Sequence, residues 1–381
     1  MSQTTITAGS ITDLLTIVPS LIGFQPADSV VIVGLKPSSQ IHVTLRYDLP
    51  SDADQLISLA KHAMAVLDSA DIGTLVAVIY GTKDQGDPVA DVLAFVAARS
   101  DITIRDTLRV AGGRYWSYSC ADEGCCPAAG TPFTPGTPPA ELGVPVLADR
   151  DQLAESIAPL RDGAGFMQLA IEHAAHTDVA TALTAVQTLI ARYQAGEDYG
   201  TETEMATALV GLRHLRVRDD AWSRMDPEFT GAHLRLWTEL TRRAQPGYVA
   251  APASLLAFVA WQSGNGALAN VALDRALADN PHYSMAQLLR QVITAGAPPS
   301  LARLPMTPEE VAASYAEQNA DEDAAGIDPD ASYGLRVDGQ YWMDADGRTT
   351  WPGRDAIALA EHLEGADYDD IVFVAADDMP V

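Results

Sequence analysis

The pattern of apolar residues changes once along this chain, near residue 148, and this change constrains the fold more than any other feature. Before it, short runs with strand periodicity alternate with stretches of helical periodicity. After it, helical segments follow one another through short connections. We therefore predict an α+β or α/β fold class: a mixed sheet with helices at 1–147, an all-α bundle of helix hairpins at 148–305, and a small acidic C-terminal appendage at 306–381.

The N-terminal part carries the clearest local signals, because its apolar runs are short and bounded by turn residues. The pattern predicts helices over 10–24, 51–68 and 87–98, and strands over 30–35, 41–49, 74–80, 102–110 and 114–120. A segment rich in proline and glycine follows at 121–147, and we interpret it as a long ordered loop or a linker.

In the second part, the apolar pattern predicts helices over 149–158, 165–195, 201–216, 227–244, 250–263, 267–280 and 283–295. One hairpin resembles a tetratricopeptide repeat at Leu256, Ala257, Gly264, Ala269, Ala276 and Pro281. Ala253 stands where that repeat has a large aromatic residue, and only one such unit is visible. Because a solenoid needs about three repeats, a single hairpin inside a bundle is the favoured interpretation. The last part predicts an acidic linker over 317–330 and a ββαβ unit.

Charge excludes some classes of partner. The chain has 24 basic and 51 acidic residues, a net charge of −27. Residues 307–381 hold 19 acidic and three basic residues, so this segment is either a solvated tail or an acidic interaction module. Such a surface repels phosphate backbones, so we expect neither nucleic acid nor an anionic membrane as a general partner. No long apolar run or basic leader is present, which favours a cytoplasmic protein.

Three cysteines form the most distinctive cluster: Cys120, Cys125 and Cys126. Four interpretations stay open: inert buried thiols that pin a loop, a disulfide, a metal site, and a nucleophile. We favour inert thiols, because zinc prefers four ligands and no histidine is near in sequence. His42 or His62 would have to be brought in by the fold.

Polar residues at the predicted strand ends are the second candidate site, since pockets in α/β sheets form there. We predict the ligand-binding residues Asp28, Ser29, Arg46, Asp48, Arg114, Trp116 and Tyr118. An arginine beside aromatic rings can hold a planar or anionic ligand. The ordinary alternative is a helix cap, a surface ion pair and a core tryptophan.

No specific catalytic motif is present. Phosphate-binding, nucleophile-elbow and zinc-protease signatures are all missing. Asp344, Asp346 and Gly347 resemble part of a calcium loop, but the rest of its ligands are missing. His173 and His176 lie three residues apart on a helix without a second ligand-bearing helix. We therefore predict no cofactor, and whether the chain is an enzyme stays open.

Several sequence segments together suggest a family. They are 21–31, 44–50, 114–118 with the cysteine segment up to Pro132, and the helical stretch from Trp222 to Pro281. Over about residues 8–300 the chain resembles an actinobacterial family described as domain of unknown function 4192. The resemblance implies that the two halves form one unit and that the cysteine segment is a regular feature. It also implies that the strand with Arg46 and Asp48 lies close to residues 114–126. It assigns no activity.

Two functions follow as expectations. The first is a non-catalytic binding or scaffold protein whose helical part offers a groove to a protein partner. The alternative is an enzyme or sensor that binds a small anionic or nucleotide-like ligand in the α/β part. In the enzyme version, Arg46 and Arg114 together hold the anion.

Overall fold

A computed structural model describes residues 9–37, 39–50, 52–137, 146–161, 163–197, 199–297, 299, 306–325, 332–337, 340–343, 348–352, 355–356, 359 and 371–375. The chain divides into two compact units, residues 1–305 and residues 306–381, and each is described by itself.

The first unit begins with a mixed sheet, as predicted. Its elements are α1 (Ile11–Ile22), β1 (Ser29–Leu35), β2 (Ile41–Asp48), α2 (Ala53–Ser69), β3 (Thr74–Tyr80), α3 (Lys83–Ala97), β4 (Thr103–Ala111), β5 (Arg114–Ser117) and β6 (Thr131–Pro132). The strand order is β2-β1-β3-β4-β5-β6. Strands β3 and β4 are parallel, and the other neighbouring pairs are antiparallel.

Side chains of polar residues set where these helices begin. Ser10 caps α1 and Asp52 caps α2, each by accepting a hydrogen bond from a backbone N–H of the first turn. Thr82 and Gln85 form a reciprocal capping box, so α3 begins at Lys83. The predicted start at residue 87 was therefore wrong by four residues.

The sheet is covered on both faces, because alternate residues of its central strand β1 enter different cores. Val31 and Val33 join a core with α1 and the helical part. Val30 and Ile32 join a second core with α2 and α3. All seven residues of β1 are buried, which explains its continuous apolar sequence.

The helical part contains α4 (Arg150–Ser156), α5 (Ala164–Ala174), α6 (Val179–Gln194), α7 (Glu202–Gly211), α8 (Leu215–Ser223), a 3₁₀ turn (Pro227–Phe229), α9 (Thr230–Arg243), α10 (Ala250–Gln262), α11 (Gly266–Asp279) and α12 (Ser284–Thr294). Two predictions were wrong here. The single helix predicted over 165–195 is two helices, because Asp178 caps α6. The helix predicted over 201–216 ends at Gly211, and α8 starts soon after it.

One hydrophobic core joins the helical part to the α1 side of the sheet. The two parts therefore lie in one compact unit, and the domain boundary at 147/148 stays a prediction. The repeat-like hairpin is α10 and α11, with Gly264 in the left-handed region (φ 81°) between them. Helix α10 is buried from Ala250 to Trp261. It is thus a central helix of the bundle, and its surface cannot line an exposed groove.

The second unit contains α13 (Pro308–Ala325), β7 (Ser332–Val337), β8 (Gln340–Tyr341), β9 (Trp351–Pro352) and β10 (Ile371–Ala375). Strand β7 pairs with the other three, around a small core of Leu335, Trp351 and Ala356. Helix α13 occupies much of the predicted acidic linker. The proposed calcium residues Asp344, Asp346 and Gly347 lie outside the described residues. In the part of the chain that is described, no helix has the length and apolar character needed to span a membrane.

Candidate functional site

Polar side chains form two groups on opposite faces of the main sheet. We define the α1-face cluster as Ser29, Arg46, Asp48 and Tyr80. Ser29 is the register partner of Asp48 on β2 and of Tyr80 on β3. Side chains directly opposite each other on neighbouring strands lie about 5 Å apart at Cβ. Arg46 lies two residues before Asp48 and therefore on the same face.

Arg46 and Asp48 form an ion pair at the edge of this cluster. The Nη2 atom of Arg46 lies 2.6 Å from Oδ1 of Asp48. The arginine side chain is only 18% exposed, whereas the aspartate side chain is 80% exposed. The guanidinium carbon lies 5.7 Å from the centre of the buried Phe24 ring. The cation is thus held by aromatic and strand packing, while its carboxylate partner is in solvent.

Three polar atoms of the α1-face cluster are buried without a hydrogen-bond partner among the described residues. They are Oγ of Ser29, Nε of Arg46 and the hydroxyl oxygen of Tyr80. Ser29 is fully buried, and burial raises the pKa of Tyr80. A buried polar group without a partner costs about 1–3 kcal/mol. The cluster therefore holds three buried polar groups whose hydrogen bonds no described residue satisfies.

We define the α3-face cluster as Asp87, Arg109, Trp116 and Tyr118, on the other face of the sheet. Arg109 is 7% exposed, and its guanidinium carbon lies 3.7 Å from the centre of the Trp116 ring. The Tyr118 hydroxyl donates to Oδ1 of Asp87 at 2.7 Å. Lys83 forms an ion pair with the same carboxylate. Each side chain of this cluster therefore contacts another side chain of the cluster.

The titration of this second cluster follows from its contacts. Hydrogen bonds from Lys83 and Tyr118 lower the pKa of Asp87. Burial raises the pKa of Tyr118, and its bond to the Asp87 carboxylate raises it further. Asp87 is therefore held as a carboxylate and Tyr118 as a phenol. A group locked in one protonation state by partners is typical of a structural network.

The cysteine loop, defined as residues 120–130, connects β5 to β6. The three sulfur atoms of Cys120, Cys125 and Cys126 all lie within 4.8 Å of one another. The sulfur atoms of Cys125 and Cys126 are 3.9 Å apart. The backbone makes this convergence, since N–H groups of both Cys125 and Cys126 donate to the carbonyl of Asp122.

The thiols are not fully buried, so the burial in the favoured interpretation of buried, inert thiols that pin a loop was wrong, while their inertness stays a prediction. Cys125 is exposed, and the other two are half-buried. The backbone amide of Asp122 donates to Cys120 and lowers the pKa of its thiol. The neighbouring Cys120 raises the pKa of Cys126 to about 12. The described residues place no histidine in this group; His62 instead contacts Tyr47.

Two predicted ligand residues hold this loop. The indole Nε1 of Trp116 donates to the carbonyl of Ala128 at 3.0 Å. Nη1 of Arg114 donates to the carbonyl of Gly130 at 2.8 Å. Gly130 has φ 79°, and a Cβ there would lie 2.5 Å from the Trp116 ring. Arg114 and Trp116 therefore act as positioning residues for the cysteine loop.

The two predicted arginines are not brought together. Register places Arg46 opposite Val31, and alternation along β4 and β5 places Arg114 on the other face. Strands β2 and β5 have three strands between them, a separation of about 19 Å. The expectation that their segments lie close was wrong. One anion cannot contact both arginines.

Asp28, the remaining predicted residue, lies outside both clusters. Its backbone has φ 41°, and Gln85 donates to its carboxylate at 3.3 Å.

Sequence reasoning missed Tyr80, Asp87 and Arg109. Arg109 had a usable signal, since it interrupts an apolar strand between Leu108 and Val110. Asp87 had none, because its partner Tyr118 is 31 residues away.

A family model described as "Domain of unknown function (DUF4192)" matches residues 12–300 of the chain. Among the curated proteins nothing matches, and none of the solved structures does either. The matched segment includes both clusters and the cysteine loop, and it ends before the second unit.

Proposed function

This chain belongs to the DUF4192 family, and on that premise we propose that it is a binding protein or sensor that holds one small anionic molecule in the α1-face cluster. One observation carries this proposal: Ser29, Arg46 and Tyr80, on three neighbouring strands, each bury a polar atom without a partner among the described residues. The cytoplasm is the compartment we propose for it.

The chemistry of the three groups favours an anion. A guanidinium N–H can only donate, and both hydroxyls can donate. Three donors on one face fit the oxygens of a carboxylate or a phosphate. Nη2 of Arg46 already contacts Asp48, and Nε is the buried donor that has no described partner.

The pair between Arg46 and Asp48 would yield to a ligand at small cost. Because the Asp48 side chain is 80% exposed, the pair contributes at most about 1 kcal/mol. An anion on the buried side of the guanidinium would be less screened than Asp48. Asp48 then acts as a replaceable counter-ion that keeps Arg46 in position while the site is empty.

The full-length protein should carry a small molecule that native mass spectrometry detects and denaturation removes. Inorganic phosphate and succinate serve as probes, with binding measured by calorimetry. Arg46→Gln should weaken probe binding ten- to hundred-fold, as expected for loss of about 1.5–3 kcal/mol from a charged hydrogen bond. Ser29→Ala and Tyr80→Phe should each weaken it less.

Arg105→Gln is the matched control, since Arg105 is an exposed arginine of β4. It should leave probe binding unchanged. Equal weakening by Arg105→Gln would mean that general charge and not the cluster binds the anion. A native mass without excess, together with no heat from either probe, would end the proposal.

Binding of a protein partner by the helical part is the second candidate, and one observation favours it. Phe166 and Leu169 lie three residues apart on α5 and are 75% and 63% exposed. A photo-crosslinker at position 166 should then capture one discrete partner in cell extract, and a crosslinker at exposed Gln168 should not. Equal capture from both positions would argue against this surface.

A further inference from the structure

The cysteine loop has the geometry of a site for a soft metal ion. Zinc–sulfur bonds of about 2.3 Å at tetrahedral angles place two sulfur ligands about 3.8 Å apart. The sulfur atoms of Cys125 and Cys126 are 3.9 Å apart, and Cys120 lies within 4.8 Å of both. A disulfide needs about 2.05 Å. The Cys125 and Cys126 sulfur atoms thus lie at the spacing of zinc ligands, Cys120 lies within reach of both, and all three cysteines are free.

The loop is held in this shape by contacts that do not use the thiols. The carboxylate of Asp122 accepts from the N–H of Gly124 at 2.8 Å. The carbonyls of Ala128 and Gly130 are bound by Trp116 and Arg114. Ligands that are positioned before the metal arrives lose little entropy on binding. Because Arg114 and Trp116 belong to β5, the loop is fixed to the sheet and does not depend on the metal for its position.

The three cysteines are exposed enough for a metal ion to bind between them. Cys125 is exposed, and Cys120 and Cys126 are half-buried, so a metal can reach all three from solvent. Cysteines that serve only as small apolar residues are usually among the most buried. Three protein ligands with a solvent-facing side leave the fourth tetrahedral position for water or another small ligand.

From the convergence of three solvent-accessible sulfur atoms on one braced loop, we propose that Cys120, Cys125 and Cys126 form a three-thiolate site that binds one zinc ion. Thiolate ligands select zinc and copper(I) over magnesium and calcium. The three thiolates and one divalent ion carry a net charge of −1, and the fourth position is open. This site lies apart from the α1-face cluster, so either proposal can fail alone.

The test uses the reduced full-length protein, with Zn²⁺ and Co²⁺ as probes. We expect one metal ion per chain. The cobalt form should show sulfur-to-metal charge-transfer absorption and the d–d bands of tetrahedral coordination. Zinc should slow alkylation of all three thiols at least ten-fold. Magnesium at the same concentration should not.

Single variants Cys120→Ser, Cys125→Ser and Cys126→Ser should each weaken zinc binding at least ten-fold. Glu123→Gln is the matched control, because Glu123 is an exposed residue of the same loop. If a serine variant unfolds, protection of the native thiols by zinc still decides the question. Unchanged alkylation rates with zinc would overturn the proposal. A mass lower by two hydrogens that reappears after each reduction, without metal uptake, would assign the thiols to a disulfide instead.

Discussion

The two faces of the main sheet carry polar clusters of similar composition but opposite state. On the α3 face, Arg109 stacks on Trp116, and Tyr118 donates to Asp87. On the α1 face, Ser29 and Tyr80 bury hydroxyls without a described partner. One cluster satisfies its own hydrogen bonds, and in the other, three polar atoms have no described partner. The difference teaches that burial of polar residues does not by itself indicate a site; it is the buried polar group without a partner that calls for an explanation.

The α3-face cluster also supports the cysteine loop. The Trp116 ring is stacked by Arg109 on β4 while its N–H holds Ala128. Removing a partner from a complete network leaves the other group unsatisfied. Changes on the α3 face should therefore reduce stability, whereas changes on the α1 face should reduce binding. Three predictions test this contrast.

Gly130→Ala should have the largest effect on stability. Its φ of 79° and the 2.5 Å approach of a Cβ to the Trp116 ring combine two penalties. Together, left-handed strain and overpacking should lower the free energy of unfolding by about 4 kcal/mol. The Trp116 ring cannot move aside without losing its contacts with Arg109 and Ala128.

Gly247→Ala is the control for this change. Gly247 has φ 86°, but no atom lies within 4 Å of its added Cβ. It should lose only about 1 kcal/mol from backbone strain. Urea unfolding of both variants measures the difference. Equal losses would show that the ring contact contributes nothing.

His233 belongs to neither cluster, and it extends the comparison of buried polar groups to one whose charge changes with pH. It is 1% exposed on α9, and its ring nitrogen makes a long hydrogen bond of 3.4 Å with Gln194. Burial lowers its pKa from 6.5 to about 4. The folded state disfavours protonation, so stability is fully present above pH 6.5 and is lost as the pH falls towards 4. The full loss should reach about 3 kcal/mol.

His233→Gln should remove this part of the pH dependence, while His173→Gln, which changes an exposed residue of α5, should retain it. Unfolding free energies at pH 7 and pH 5 measure both. A steep acid loss that persists in His233→Gln would assign it to carboxylates elsewhere.

Much of the fold could be predicted because its signals are local. The strand predicted over 74–80 is Thr74–Tyr80 in the structure, and the alternation over 41–49 gives β2. The predicted helix boundaries were wrong where a polar residue caps the helix. Thr82 starts α3 early, and Asp178 divides one predicted helix into two. The cap at Asp178 was readable, but alanine-rich sequence continues the helical pattern across it.

The site was harder, because its contacts join distant residues. Arg114 and Trp116 were singled out by their chemistry, yet their partners are the carbonyls of Ala128 and Gly130, which every residue possesses. No side-chain pattern reports such a contact. A surface ion pair was the ordinary alternative for these strand residues, and Arg46 and Asp48 form one between neighbours on one strand face. The orientation of β5 relative to β2 was not visible in the sequence at all.

The smallest expected effect gives the most direct comparison, since the same substitution is made on each face. Tyr118→Phe removes the bond to Asp87 and should cost about 1 kcal/mol. It should also raise the pKa of Asp87. The lowered pKa of this carboxylate stabilises the folded state above about pH 4, and this stabilisation is lost as the pH falls. Tyr80→Phe removes a buried hydroxyl without a described partner, so the empty protein should lose no stability and should gain about 1 kcal/mol as the cost of the unpaired group disappears. With phosphate or succinate bound, the difference should narrow, because Tyr80→Phe alone then also loses a ligand contact. Calorimetric melting with and without the probe measures both, and a stability loss in empty Tyr80→Phe equal to that of Tyr118→Phe would show that the two faces do not differ.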